Sequence, residues 1–284
     1  MKRINPNQLS LFDFVLEHPE TPVTPQETVL EREPVQAREQ ARDNMTRCPY
    51  TVPTVEEIIK FIDRSAASLS KSKLISDVFA CGAIAISNQV DFTQYDEREE
   101  QYKQIINGYK PQERELIAEL FGKIFALLSS VVYDDGKFGD YLGELFMRCN
   151  QGNKNAGQFF TPFHISQCMA KMTITDADIK QNDIIAFNDP CNGGGGMLMA
   201  ALDVLKNDFN VNYARDCFIL AGDIDIRCVH MTYLQLALAG APAIVCHQNT
   251  LTNELWSVWK TPAFIFQYPR FCKYDINTTK ENIA

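Results

Sequence analysis

Four short apolar runs alternating with helical patterns over residues 151–284 predict a doubly wound α/β sheet, and a block of helical periodicity over residues 51–150 predicts a helical domain in front of it. A polar tail, residues 1–48, precedes both. The tail includes "HPETPVTPQETVLEREPVQAREQARDN", which is rich in Pro, Glu, Gln and Thr and poor in aromatics. Such a segment buries too little apolar surface to offset its ordering entropy, so disorder is expected, with a transient helix near Gln36–Asp43. The helical block opens on Thr54 followed by Glu57, a capping-box spacing, and then Ile58, Ile59, Phe61, Ile62, Ala66 and Leu69 repeat at helical intervals. "ISDVFACGAIAIS" is apolar and small, as in a buried helix. "PQERELIAELFGKIFALLSSVVY" lines one broad face with Leu116, Leu120, Ile124 and Leu128, and its acidic start suits the helix dipole. "FGDYLGELFMRC" continues the pattern. The period then changes. "DIIAF" (183–187), "CFILAG" (217–222), "AIVCH" (243–247) and "AFIFQ" (263–267) read as buried strands, with helices at "GMLMAALDVLKNDF" and "RCVHMTYLQLALAG".

With 45% hydrophobic and 22% charged residues, the composition is that of a globular protein. A net charge of -9 excludes the strongly basic surface of many nucleic-acid binders, so any DNA contact must come from a local patch or a partner. No apolar run is long enough to span a bilayer, and Lys2 and Arg3 have no apolar stretch behind them to make a secretory signal. The nine cysteines contain no CxxC pair. They read as reduced, mostly buried thiols of a cytoplasmic protein, and no metal site is expected.

Ligands of such sheets bind at the carboxyl ends of the strands. The first strand ends in "NDPCNGGGG", residues 188–196. A glycine-rich turn there lets the backbone approach a ligand closely. Asp189 would repel a pyrophosphate but accept from an ammonium group. Cys191 is expected to pack below the ligand. The second strand ends in "GDID", where an acid such as Asp223 can take both hydroxyls of a ribose. Glycine turns with surface aspartates are also common without a ligand. Here two acids fall at two consecutive strand ends. Upstream, "GQFFTP" offers Thr161 as a helix cap and Pro162 as a first helical residue. Leu255, Trp256 and Trp259 are expected to cover the sheet edge. His164, His230 and His247 are scattered, as structural histidines are.

"GQFFTP", "DPCNGGGG" and "AGDID…LQLALAG…NTL", in this order over roughly residues 110–271, resemble the modification subunit of type I restriction systems, an N6-adenine DNA methyltransferase. The resemblance implies a Rossmann-like S-adenosylmethionine-dependent sheet. Phe160 and Thr161 would flank the methionine part of the cofactor, and Asp189, Asn192, Gly193 and Gly195 would line the same end. Asp223 would hold the ribose, Ile224 would pack on the adenine, and Asn249 would stand near the adenine amine, where the family usually has an acid. The family's fourth strand ends in Asn-Pro-Pro-aromatic, whose Asn accepts from the flipped adenine. In "PAFIFQYPRF", Tyr268 would replace that Asn, Pro269 is kept, Arg270 replaces the second Pro, and Phe271 keeps the ring. Losing one such acceptor costs about a hundredfold or more in rate. Only 13 residues follow Phe271, so the sheet is expected to be incomplete, and truncated, decayed or completed by another polypeptide.

In the tail, Gln8, Leu11 and Phe12 of "NQLSLFDF" are similar to the peptide by which bacterial polymerases and repair proteins dock on the replication sliding clamp. The alternative is an apolar patch that docks on the protein itself. Three functions remain open. One is an S-adenosylmethionine-dependent DNA adenine N6-methyltransferase of restriction–modification type, acting alone or with a specificity or completing subunit. Another is an inactive cofactor- or DNA-binding accessory protein held on the clamp. The third is a nicotinamide or flavin protein, disfavoured because "NDPCNGGGG" is not G-x-G-x-x-G and the next acid lies beyond about 20 residues.

Overall fold

The capping box at Thr54 forms as its spacing predicts. Glu57 N donates to Thr54 Oγ1 at 3.2 Å, and Thr54 N donates to Glu57 Oε2 at 2.8 Å. It starts α1 (Val55–Ser65), the first helix of the computed structural model, which describes residues 52–66, 69–133, 137–150, 159–181 and 183–275. The tail, with its clamp-like peptide, lies outside the described residues. Four more helices follow: α2 (Lys71–Ser87), α3 (Tyr95–Asn107), α4 (Pro111–Tyr133) and α5 (Tyr141–Cys149). Ile58, Ile62, Phe79, Leu120 and Ile124 meet in their common core. Burial of such side chains stabilises by about 1.5–3 kcal/mol each.

The α/β part begins with α6 (Phe163–Thr173) and a short α7 (Asp176–Gln181). Then come β1 (Ile185–Asp189), α8 (Gly196–Asn207), a turn of helix α9 (Tyr213–Asp216), β2 (Cys217–Asp223), α10 (Ile226–Leu238) and β3 (Ala243–Asn249). Strands β1, β2 and β3 lie side by side in that order and run parallel. Three of the four expected strands and both expected helices are therefore present.

The fourth strand is a correction. "AFIFQ" is not a strand but α11 (Pro262–Phe266), and β4 (Glu254–Lys260) is the segment before it, antiparallel to β3. The reason is local. Thr261 caps α11, its side chain accepting from Phe264 N, and Pro262 stands in the first turn, where a missing N–H costs nothing. Leu255, Trp256 and Trp259 thus form the edge strand rather than cover it. Asn253, at φ 59°, supplies the left-handed turn between β3 and β4.

The two central strands, β2 and β3, are buried on both faces by different partners, whereas the edge strands β1 and β4 are half exposed. Ile219, Ala221 and Val245 face α8, α10 and the helical core. Phe218, Ile244 and Cys246 face the other way, onto Phe264 of α11 and Phe271 of α12 (Tyr268–Phe271). Tyr274 stacks on Phe218 with ring centroids 4.4 Å apart. All described residues belong to one compact unit, 45–284. Among them, no helix is long and apolar enough to cross a membrane, and no group of His, Cys, Asp and Glu could hold a metal ion.

Candidate functional site

At the carboxyl ends of β1 and β2 the chain forms a cleft of about 260 Å³. The turn after β1 makes its floor. Asn192 N donates to Gly222 O at 3.0 Å, tying the turn to the end of β2. Gly193 and Gly195 have φ of 54° and 90°, conformations that L side chains resist. A Cβ on Gly195 would also sit 2.9 Å from Thr232 Oγ1.

Two expected acids converge on this turn. Asp189 Oδ1 accepts from Cys191 N at 3.2 Å. Asp223 Oδ2 accepts from Gly193 N at 2.9 Å, and its Oδ1 from Asp225 N at 2.8 Å. Both line the cleft with Phe160, Thr161, Asn192 and Gly193. Burial raises the Asp189 carboxyl above the ordinary carboxylate range, and the neighbouring Asp223 charge adds to the rise. Phe160 leans on Phe146 of α5, with centroids 5.8 Å apart. Ile224 is exposed at the end of β2, and its carbonyl is 3.2 Å from His247 Nε2.

Other expected residues lie elsewhere or act differently. Asn249 is not part of the cleft lining; its Oδ1 accepts from Leu251 N at 3.0 Å and closes the β3–β4 turn. Thr161 does not cap α6. Pro162 holds the cap position with an extended ψ of 135°, which leaves Thr161 on the cleft wall. Cys191 does not pack beneath the site, being exposed at its mouth. Tyr268, Pro269 and Phe271 are not at a strand end near the cleft. Arg270 between them bonds Arg215 O at 2.9 Å and Asp216 Oδ1 at 3.0 Å, just before β2 begins. That is the amino end of the sheet, about 16 Å of strand away from Asp189. His230 is structural: it is buried edge-on to Trp259, and burial lowers its pKa to about 3.

Several residues of the cleft escaped the sequence reading. Thr232 and Gln235, on α10, support the turn from below. Thr232 Oγ1 donates to Gly193 O at 3.1 Å and accepts from Asn192 Nδ2. Gln235 Nε2 donates to Gly194 O at 2.7 Å. Their spacing of three, which puts two polar side chains on one face of the helix, was the available signal. Asp140, before α5, contributes a third carboxylate, and α6 contributes Ser166. Ser166 Oγ and Asn192 Oδ1 are buried in the cleft lining without a hydrogen-bond partner. None of the three carboxylates forms an ion pair with the described residues.

Comparison with known proteins bears on this cleft. The family model described as N-6 DNA Methylase matches residues 134–283, just over half of the chain. The chain belongs to the N-6 DNA methylase family. The matched stretch runs from the end of α4 through all four strands and so contains every lining residue of the cleft. Among solved structures, a type I restriction-modification system methyltransferase subunit from Streptococcus thermophilus is similar at 17% identity and a TM-score of 0.39, covering 79% of this chain and 46% of that one. A protein described as a class I S-adenosylmethionine-dependent methyltransferase from Listeria monocytogenes is similar at 17% identity and a TM-score of 0.36, covering 66% of this chain and 56% of that one. The chain spans about half the length of these two solved neighbours. No curated protein matches it.

Proposed function

We propose that this chain is the S-adenosylmethionine-binding part of a DNA adenine N6-methyltransferase of restriction–modification type, and that it transfers methyl groups only with a second polypeptide. The observation that carries the reading is the convergence of Asp189 and Asp223 over the glycine turn, beside two buried polar atoms that lack partners. Unpartnered buried acceptors and uncompensated acids are costly in a protein alone. A ligand with hydroxyls, an ammonium and a positive sulfur would satisfy both. Asp223 would take the ribose, Ile224 would lie against the adenine, and Asp189 would face the methionine end beside Phe160 and Thr161. Asn192, Gly193 and Gly195 would bring the turn's backbone against it. S-adenosylmethionine, when bound, supplies a methyl group activated on that sulfur.

The placement of the expected base-site motif supports the need for a partner. No residue of Tyr268–Phe271 lines the cleft, and in this reading a specificity or completing subunit supplies the acceptor for the adenine amine. Calorimetry with S-adenosylmethionine tests the first half of the reading, and labelled methyl transfer by the chain alone to unmethylated bacterial DNA tests the second. Saturable binding without transfer is expected. Absence of binding would overturn the cofactor reading, and transfer by the chain alone would overturn the need for a partner.

The same placement of Tyr268–Phe271 favours a second reading, a cofactor- or DNA-binding accessory protein without transfer activity, held on the sliding clamp through Gln8, Leu11 and Phe12. Retention of the full chain on immobilised clamp, lost in Leu11→Ala with Phe12→Ala, would support it. Unchanged retention by the double variant would remove it.

A further inference from the structure

The geometry points to Asp140 as a second acceptor for the ligand's α-ammonium group, held in position by Gln235; this rests on the cofactor reading above and adds a residue from the helical half of the chain to the site. Asp140 precedes α5 and caps it, its Oδ1 accepting from Gly143 N at 3.0 Å. The same Oδ1 accepts from Gln235 Nε2 at 2.9 Å, and that amide nitrogen also donates to Gly194 O at 2.7 Å. One side chain of α10 therefore fixes both the carboxylate and the glycine turn. Oδ2 has no partner among the described residues.

Capping alone does not explain an acid here. Asp is common at exposed helix starts, where water solvates the charge, but Asn and Ser cap as well without one. Asp140 is instead packed into the wall of the cleft, where burial raises its pKa. Glycines surround it: a Cβ on Gly196 would lie 2.8 Å from Oδ2, and one on Gly194 would lie 3.2 Å from Oδ1. A charge kept in so tight a place, with one oxygen unused, fits a cation that arrives with the ligand. Ser166 Oγ, fully buried in the lining of the same cleft and lacking a partner, is an independent sign of a missing hydrogen-bonding group. An ammonium has three N–H donors. Asp189, Asp140 and one of the orphaned oxygens supply three acceptors.

The test compares three ligands by calorimetry on the full chain and its Asp140→Asn variant. S-adenosylmethionine and S-adenosylhomocysteine carry the ammonium; 5′-methylthioadenosine lacks the whole amino-acid end. Asparagine keeps the cap and the Gln235 contact. The variant should bind the two ammonium ligands at least about tenfold more weakly, the worth of a charge-assisted hydrogen bond. Its affinity for methylthioadenosine should be unchanged. Asp140→Ser, also a good cap, should show the same selective loss and serves if Asp140→Asn does not fold. Equal loss for all three ligands would mean that Asp140 only supports the turn, and no loss would mean that it does not touch the ligand. Either result overturns the proposal while leaving the cofactor reading intact. A wild-type chain that binds none of the three overturns both.

Discussion

Asp189 and Asp140 are acids whose charged forms the ligand-free fold disfavours, through burial in both cases and through Asp223 as well for Asp189. The sign of the pH effect follows. A carboxyl with a raised pKa in the folded state adds stability below its unfolded value and loses that contribution as pH rises through the raised value. A cationic ligand works in the opposite sense, because it needs the ionised acids. Affinity for S-adenosylmethionine should therefore fall as the pH is lowered through the raised values of these two groups, while the same protonation makes the ligand-free fold more stable. Calorimetry and thermal melts from neutral to mildly acidic pH check both trends. Asp189→Asn should flatten the affinity profile, and a profile as steep as wild type in the variant would count against the assignment. The two strand-end acids were legible in the sequence because a carboxylate directly after an apolar run has few structural reasons to be there. Asp140, Ser166, Thr232 and Gln235 were not. Each sits at or within a helix, where a cap or a turn of core accounts for it until the neighbouring element is seen.

At the level of elements, β2 and β3 were readable from their apolar runs alone, since both of their faces are largely buried, and β1, half exposed at one edge, was readable from its apolar start and the glycine turn after it. The β4 edge was not. "ELWSVWK" is half exposed and held by long-range contacts that no local pattern announces. Arg98 of α3, itself buried, donates to Val258 O at 2.7 Å, lies 4.1 Å from the Trp259 ring, and pairs with Asp91 at 3.1 Å. Removing one partner of a buried ion pair leaves the other charge uncompensated, at a cost of about 3–5 kcal/mol. Arg98→Met should destabilise by that order in denaturant melts, and adding Asp91→Asn should recover part of the loss. A double variant no more stable than Arg98→Met would show that the arginine acts through Trp259 and Val258 instead of its charge. Helix α4 offers a contrast. A Cβ on Gly122 would meet nothing within 4 Å. Gly122→Ala should therefore stabilise by up to about 1 kcal/mol through helix propensity. Gly195→Ala, with positive φ and Thr232 in the way, should instead destabilise and weaken ligand binding.

Across the whole molecule, the two ends of the sheet do different work. The carboxyl end carries the cleft, and the segment after β4 returns to the amino end and covers the face that α8 and α10 leave open. Phe264, Phe271 and Tyr274 pack there on Phe218, and Phe271 is fully buried. Within "YPRF" it is Phe271 that meets a packing need there, whereas Tyr268 is partly exposed. Arg270 fastens this cover through the carbonyl of Arg215 and the carboxylate of Asp216. Restoring the family's motif by Tyr268→Asn with Arg270→Pro should therefore create no methyl transfer. It should lower the melting temperature, because proline removes both that anchor and the Arg270 N–H bond to Gln267 O. Phe271→Ala should cost about 3–5 kcal/mol, as for other buried aromatic truncations. In each variant, S-adenosylmethionine affinity measured well below the melting transition should stay at the wild-type value, since stability lost at one end of the strands does not disarrange the carboxylates at the other. A gain of transfer activity in the restored motif, or a fall in affinity without unfolding, would mean that this segment reaches the cleft after all.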